Sequence, residues 1–416
     1  MHAQDYRGSE ISGASGDALE LFEQALADFQ DWRGDPFAHA AKALEHAPGF
    51  VMAHVLQACV LLCSREPAAI AAAREIHDRA RGLAANERER QHLAAIAALL
   101  ADDYERARSI YATRLERDPL DVLALQVVHA LDYLYGDGAS LGLRVARVLP
   151  AWSPGMPGYK AVLSMYAFGL EEAGEFERAE ATAGRVLEID PLNARAHHTL
   201  AHVFEMSGRI DDGLRWMQER ASAWAAGSSV STHCWWHGAL FHISAQRSDR
   251  ALTLYDQRIR ATFSPAISDM IDASALLWRV MLGGGEPGGR ANELAQSWTP
   301  HIEDGFCTFT DMHAMMAFAL AADWGHAEML LAALVRRQSE DTRYGNMSRM
   351  VGLPACRALL AFAHGDCVGA VGLLGTLPGI AQRLGGSHAQ RDVLHLTLME
   401  AVERIRGRRR PLPIAA

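Results

Sequence analysis

One pattern recurs along the chain at a spacing that only a stacked fold satisfies. Asp103-Tyr-Glu-Arg-Ala-Arg108 is matched by Glu175-Phe-Glu-Arg-Ala-Glu180, and Leu115-Glu-Arg-Asp-Pro119 by Leu187-Glu-Ile-Asp-Pro191. From 103 to 175 and from 115 to 187 the offset is 72 residues. Related starts recur at Gly208-Arg-Ile-Asp-Asp-Gly213, Ser248-Asp-Arg-Ala251, Asp323-Trp-Gly-His-Ala327 and Gly365-Asp-Cys-Val-Gly-Ala370, with an early unit through Ala40-Ala-Lys-Ala-Leu-Glu-His-Ala-Pro48. A unit of this size cannot bury its apolar face alone, so such a chain grows by stacking neighbours rather than by enlarging one core.

The offset is close to two tetratricopeptide units of about 34 residues. Ala107, Ala179, Gly213 and Ala251 are the small residues that let paired helices approach. The Asp-Pro pairs at 118–119 and 190–191 are expected to stop one helix and cap the next. Apolar residues recur at three- and four-residue spacing, and no segment alternates as a strand does. The expectation is an all-α solenoid of tetratricopeptide-like helix pairs, essentially without sheet, whose curvature can close around a polar-aromatic pocket. It runs as one array over residues 1–400, with 401–416 as the end of the last helix and a basic tail. From Arg404 on, that tail holds five arginines and two prolines. Tyr135 to Gly158 and Gly283 to Gly289 break the period and read as inter-helix insertions.

Composition removes several classes of function. Hydrophobic residues make up 50% and charged residues 22%, which excludes disorder along the whole length. The net charge of −10 disfavours general nucleic-acid binding, which needs clustered positive charge. Of the 40 basic residues only Lys42 and Lys160 are lysines. The arginines are spread along the chain, as coding bias would leave them; bidentate anion sites are the functional alternative. Cys59, Cys63, Cys234, Cys307, Cys356 and Cys367 form no Cys-x-x-Cys pair and read as reduced, buried thiols. Met1 to Glu10 has no apolar signal core, and the apolar run Phe50 to Cys63 is too short to span a bilayer. The expectation is a cytoplasmic protein with neither membrane nor nucleic acid as partner.

Several unusual segments occur in one order: Arg88-Glu-Arg-Gln-His92, Ala201-His-Val-Phe-Glu-Met206, His233-Cys-Trp-Trp-His-Gly-Ala-Leu240, Tyr255-Asp256, Asp269-Met-Ile-Asp-Ala-Ser274, Phe309-Thr-Asp-Met-His313, Gly352-Leu-Pro354 and Gly385-Gly-Ser-His-Ala-Gln-Arg-Asp392. In these the chain resembles the tetratricopeptide repeat protein 38 family. One segment departs. Where the family has His-Asp, His129 is followed by Ala130, with Asp132 two further on. The resemblance implies the helical solenoid and no particular reaction.

The same segments concentrate ionisable and aromatic side chains. His198, His202 and Glu205 fall at i, i+4 and i+7, on one helix face. That set suits a divalent ion or acid–base chemistry, and it equally suits hydrogen-bonded packing of an inner helix. His233 and His237 form a second i, i+4 pair around Cys234, Trp235 and Trp236, either a ligand pocket or a core edge. Asp269 and Asp272 share a face, with Arg279 as a structural ion-pair partner two turns on. Asp311 and His313 are two apart and point to different sides of a regular helix, unless Asp311 is an N-cap. His388, Gln390 and Arg391 follow Gly385-Gly-Ser387, the shape of an anion-binding helix start or of a plain cap. Glu89 and His92 read as a solvent-facing first turn.

No nucleophile elbow and no nucleotide fingerprint occurs. The expected partner is a small molecule or a peptide end in the concave groove. His202, Glu205, His237, Asp311 and His313 are the candidates for acid–base work. His129, His198, His233, Trp235, Trp236, Asp269, Asp272, His388, Gln390 and Arg391 are the candidates for contact. The residues specify no cofactor and no metal. The alternative is a non-catalytic protein-interaction scaffold.

Overall fold

The computed structural model describes residues 3–64, 66–377 and 379–407. Helices follow one another throughout: α1 (Gly16–Asp31), α2 (Pro36–His46), α3 (Val51–Leu62), α4 (Pro67–Ala80), α5 (Glu87–Leu100), α6 (Tyr104–Arg117), α7 (Val122–Tyr135), α8 (Gly138–Val148), α9 (Tyr159–Glu172), α10 (Phe176–Ile189), α11 (Ala194–Met206) and α12 (Ile210–Glu219). After the short α13 (Ala221–Trp224) come α14 (Ser231–Ser244), α15 (Ser248–Leu254), α16 (Ile267–Leu282), α17 (Arg290–Trp298), α18 (Thr308–Leu320), α19 (Trp324–Arg337), α20 (Arg343–Met347), α21 (Leu353–Ala363), α22 (Cys367–Leu374) and α23 (His388–Ile405). The only sheet among the described residues is a two-residue hairpin, Ala3–Gln4 against Glu10–Ile11. None of these helices is long and apolar enough to cross a membrane. The tail beyond residue 407 lies outside the described residues.

The chain divides into two compact units. One comprises Met1–Val203 with Ala221–Ser231, the other Phe204–Arg220 with Thr232–Ala416. Helix order in the first unit follows from sequence pattern. In α3 every residue from Val51 to Cys59 is buried, and α7 and α9 are buried nearly all round. Helices apolar on every side form an inner layer. The intervening helices bury one stripe each, such as Ala107, Tyr111 and Leu115 of α6 at four-residue spacing. The caps are local. Asp103, Asp121 and Asp137 each accept a hydrogen bond from the backbone N–H three residues on.

Three sequence expectations need correction. Asp118 and Asp190 do not cap the following helices. They end α6 and α10, and their carboxylates accept from the backbone of Leu120 and Leu192, while Asp121 caps α7 three residues later. The span from 135 to 158 is not a loop insertion: it contains α8, the outer partner of α9. The start of α5 does not face solvent. Glu89 and His92 are fully buried, and Arg88 nearly so. Asn86 and Glu89 form a capping box, and Arg88 and His92 both bond Asp121. Burial alone would raise the Asp121 carboxyl; the Arg88 guanidinium and His92 hold it well below the usual range.

The first unit is tied end to end. Arg33, just past α1, donates to the carbonyls of Leu192 at 3.0 Å and Ala226 at 2.8 Å, and to that of Ala223. Ser229 N–H donates to the Trp32 carbonyl at 2.9 Å. In the second unit the core is built around Trp236, Trp278, Trp298, Phe309, Phe318 and Phe362. The last helix returns to α16, where Trp278 Nε1 donates to Thr397 Oγ1 at 2.9 Å. Gly386 is required there: its φ is +80°, and a Cβ would meet the Phe309 ring at 2.7 Å.

The α8–α9 contact is a backbone-to-backbone approach. A Cβ at Gly169 would lie 2.5 Å from Gly142 Cα and N, atoms that cannot swing aside. Gly184 in α10 faces open space. Gly169→Val should therefore cost about 3 kcal/mol or more of unfolding free energy, and Gly184→Ala should gain about 0.5–1 kcal/mol. Guanidinium unfolding of both variants checks the pair. Equal midpoints would contradict the close approach.

Candidate functional site

In the first unit, α7, α9 and α11 bring ionisable groups around one aromatic ring. Phe168 of α9 is half-buried and stacks on His198 (ring centroids 5.8 Å, 28°), meets His202 edge-on at 5.5 Å and lies 6.2 Å from His129. His198 and His202 are one turn apart on α11, and their Nε2 atoms are 3.0 Å apart. That contact needs one ring to donate and the other to accept, so a proton is held between them. His202 Nδ1 is 3.5 Å from Glu171 Oε2, and both side chains are completely buried. Glu171, Glu172 and His202 each offer a ligating atom within 4.8 Å of the others. Two carboxylates and an imidazole could hold a divalent ion or relay protons.

His129 sits at the edge of this group. Its Nε2–H donates to the Met165 carbonyl at 3.2 Å, which leaves Nδ1 as the lone-pair nitrogen. Burial, helped by the charge of Arg195, pushes its pKa down to about 3, so the ring is neutral at ordinary pH. Asp132, near in sequence, is bonded to Arg108 and Arg144.

In the second unit, α14 carries two histidine–carboxylate pairs on one face. His233 Nδ1–H donates to Asp272 at 2.9 Å, and His237 Nδ1–H donates to Glu205 at 2.8 Å. The two rings are 4.8 Å apart. Each carboxylate fixes the tautomer of its ring, the arrangement used both behind metal-ligating histidines and behind general bases. Trp236 stacks flat on His233 (5.2 Å, 14°) and takes the Arg279 guanidinium on its face at 5.3 Å. Trp235 instead packs on the core with Arg258 over it. Asp269 is half-buried beside Asp272; burial raises its carboxyl, partly offset by the hydroxyls of Ser264 and Thr232. Arg279 pairs with Asp392 of α23 and not with the α16 carboxylates.

The remaining candidates have local partners. Neither Asp311 nor His313 belongs to a cluster of three or more metal-ligating side chains among the described residues. Asp311 is not an N-cap, since α18 begins three residues earlier; it accepts from Tyr344 Oη at 2.8 Å. His313 Nδ1–H donates to the Phe309 carbonyl at 2.7 Å within its own helix. Ser387 and Gln390 form the capping box of α23, and Arg391 donates to the Gly386 carbonyl. His388 is the first helical residue, half-buried.

Residues that the sequence reading passed over are Phe168, Glu171, Glu172, Arg195 and Trp32. Glu171 and Glu172 close an otherwise apolar helix and look like a solvated end. Their signal is that Ala167, Leu170 and Glu171 continue the buried face at three- and four-residue spacing.

No family model matches the chain. Among solved structures it is similar to the crystal structure of yeast Tom70, at 9% identity over 94% of this chain and 88% of that one, with a TM-score of 0.43. It is also similar to the structure of Naa15/Naa10 bound to HypK-THB, at 12% identity over 94% of this chain and 61% of that one, with a TM-score of 0.29. Neither likeness carries a function across. The helix pairs themselves define the class: this is an all-α helical-repeat protein of tetratricopeptide type.

Asp311 gives a pH-dependent test of the geometry. Burial pushes its carboxyl up to about 7, against the pull of the Tyr344 hydroxyl. In an unfolded chain the group titrates near 3.9 (about). Folding therefore takes up a proton between about pH 4 and pH 7, and stability declines as pH rises through that window, by about 1.4 kcal/mol for each tenfold difference in proton affinity. Asp311→Asn removes this loss. Its melting midpoint should exceed that of the wild type at about pH 8, with the gap closing by about pH 5. A gap that does not change with pH would refute the burial argument.

Proposed function

We propose that this is a helical-repeat receptor for a small molecule or a peptide end, with histidine–carboxylate pairs placed for acid–base chemistry on what it binds. The observation that carries the reading is the group around Phe168. Glu171, Glu172, His198 and His202 are at most 6% exposed and lie together on repeat helices whose packing needs only small and aliphatic side chains. Burying ionisable groups is costly without partners, so a fold gathers them where they do something. The pairs His233–Asp272 and His237–Glu205 support the same reading in the second unit. Membership of the tetratricopeptide repeat protein 38 family belongs to this proposal; its support is the ordered set of unusual segments, which includes both α14 histidines.

The test is native mass spectrometry with metal analysis on gently purified full-length protein. A stoichiometric extra mass is expected in the wild type, reduced at least tenfold in occupancy in Glu171→Gln and His202→Phe variants that keep the wild-type circular dichroism. An extra mass that includes a divalent ion would assign the Glu171, Glu172 and His202 donors to it. A clean apo mass, with a partner protein captured equally by wild type and variants, would sink the receptor reading and leave the interaction scaffold.

A further inference from the structure

Arg195, the second residue of α11, has a guanidinium without an ion pair among the described residues, and its Nε has no hydrogen-bond partner there. The residue is only 5% exposed. Asp31 acts on it through space; Lys160 holds Asp31 Oδ2 at 2.8 Å, while the buried Asp31 Oδ1 has no hydrogen-bond partner among the described residues. Arg33, next in the chain to the Trp32 that Arg195 rests on, has its donors committed to three backbone carbonyls. A buried guanidinium carries five N–H donors in a fixed fork, and leaving one unmet is unfavourable.

The side chain is held rather than loose. Its guanidinium lies 4.1 Å over the face of Trp32, whose ring also meets His198 at 5.8 Å. Trp32 adopts φ = +56°, a conformation that bulky residues rarely tolerate. The surroundings impose it, through the α1 cap bond to the Asp28 carbonyl and the Ser229 bond to its own carbonyl. The charge of Arg195 also reaches His129, whose neutral ring presents Nδ1 as an acceptor.

We infer that Arg195, seated on Trp32, is the anchor for an anionic ligand of the first unit, and that the ligand class is a small monocarboxylic acid. One guanidinium edge matches one planar carboxylate through two parallel N–H···O bonds. A phosphate dianion would call for a second unengaged cation, and among the described residues none lies against Arg195. His129 Nδ1 then accepts from a hydroxyl or N–H elsewhere on the ligand. The inference rests on reading the Phe168 group as a ligand centre, since Arg195 and His198 share α11 and both face Trp32.

The test is calorimetric titration of the full chain with sodium benzoate, with benzamide as its uncharged twin and inorganic phosphate as the dianion. Benzoate is expected to bind with a dissociation constant of about 1 mM or tighter. Benzamide and phosphate should bind at least tenfold more weakly, Arg195→Met should abolish benzoate binding, and Arg195→Lys should keep part of it. Arg195→Met retains the packing on Trp32, so it should melt within about 3 °C of the wild type or above it. The anchor is overturned if benzoate gives no heat at roughly 10 mM, if Arg195→Met binds it unchanged, if benzamide or phosphate binds as tightly, or if Arg195→Met melts far below the wild type. His202→Phe separates this from the parent reading. Benzoate binding lost in Arg195→Met but untouched in His202→Phe keeps the anchor and removes the wider centre. Binding lost in His202→Phe but intact in Arg195→Met does the reverse.

Discussion

A helix that is apolar on every side has no face to give to water, and this constraint decides most of the first unit. α3, α7 and α9 each need neighbours all round, whereas α6 needs cover only along the stripe Ala107, Tyr111 and Leu115. An inner row flanked by an outer row satisfies both demands, and repetition extends it. The close approach at Gly142 and Gly169 follows from the same demand, because α9 can be covered tightly only where side chains are absent. Order along the chain thus becomes order in space, and residues on successive inner helices are brought side by side.

Ionisable groups on inner helices are the exceptions to that rule, and they come in two kinds. Arg88, His92 and Asp121 form a closed set in which each charge meets an opposite one, so they join neighbouring repeats. The groups by Phe168 are different in make-up: the imidazoles of His129, His198 and His202 meet its ring, the Glu171 and Glu172 carboxylates lie near His202, and a guanidinium sits on Trp32 close by. Such a set places groups able to give and to take protons side by side, as the proposed receptor reading needs.

The repeat spacing made the helical class legible, because it registers directly as the 72-residue offset between matching segments. Caps were harder to place. Asp-Pro looked like a helix start, yet Asp121 lies three residues further on and does that work, because Pro119 occupies the intervening turn. Short helices with several glycines were harder still: α8 contains Gly138 and Gly142, which lower its intrinsic propensity, and it forms because α9 packs on it. Within the candidate site, His198, His202, His233 and His237 stood out by their four-residue spacing. Glu205 and Asp272 were singled out as well, but their pairing with His237 and His233 was not, and Glu171 was missed, since Glu171 is 31 residues before His202 and Asp272 is 39 after His233, and only the fold brings them together. Arg195 gave no signal at all, because among 40 basic residues nothing in the sequence marks one that lacks a counter-ion.

The first unit is not a continuous stretch of chain. It borrows Ala221–Ser231, and with it the carbonyls that receive Arg33 and the fully buried indole of Trp224. During synthesis, α1 to α11 therefore emerge before the piece that finishes their assembly. Until residue 231 has left the ribosome, Trp32 lacks the Ser229 bond that helps hold its unusual backbone. The strap makes completion of the N-terminal unit wait on sequence made after it, which couples the timing of the two units without any requirement on how they are arranged.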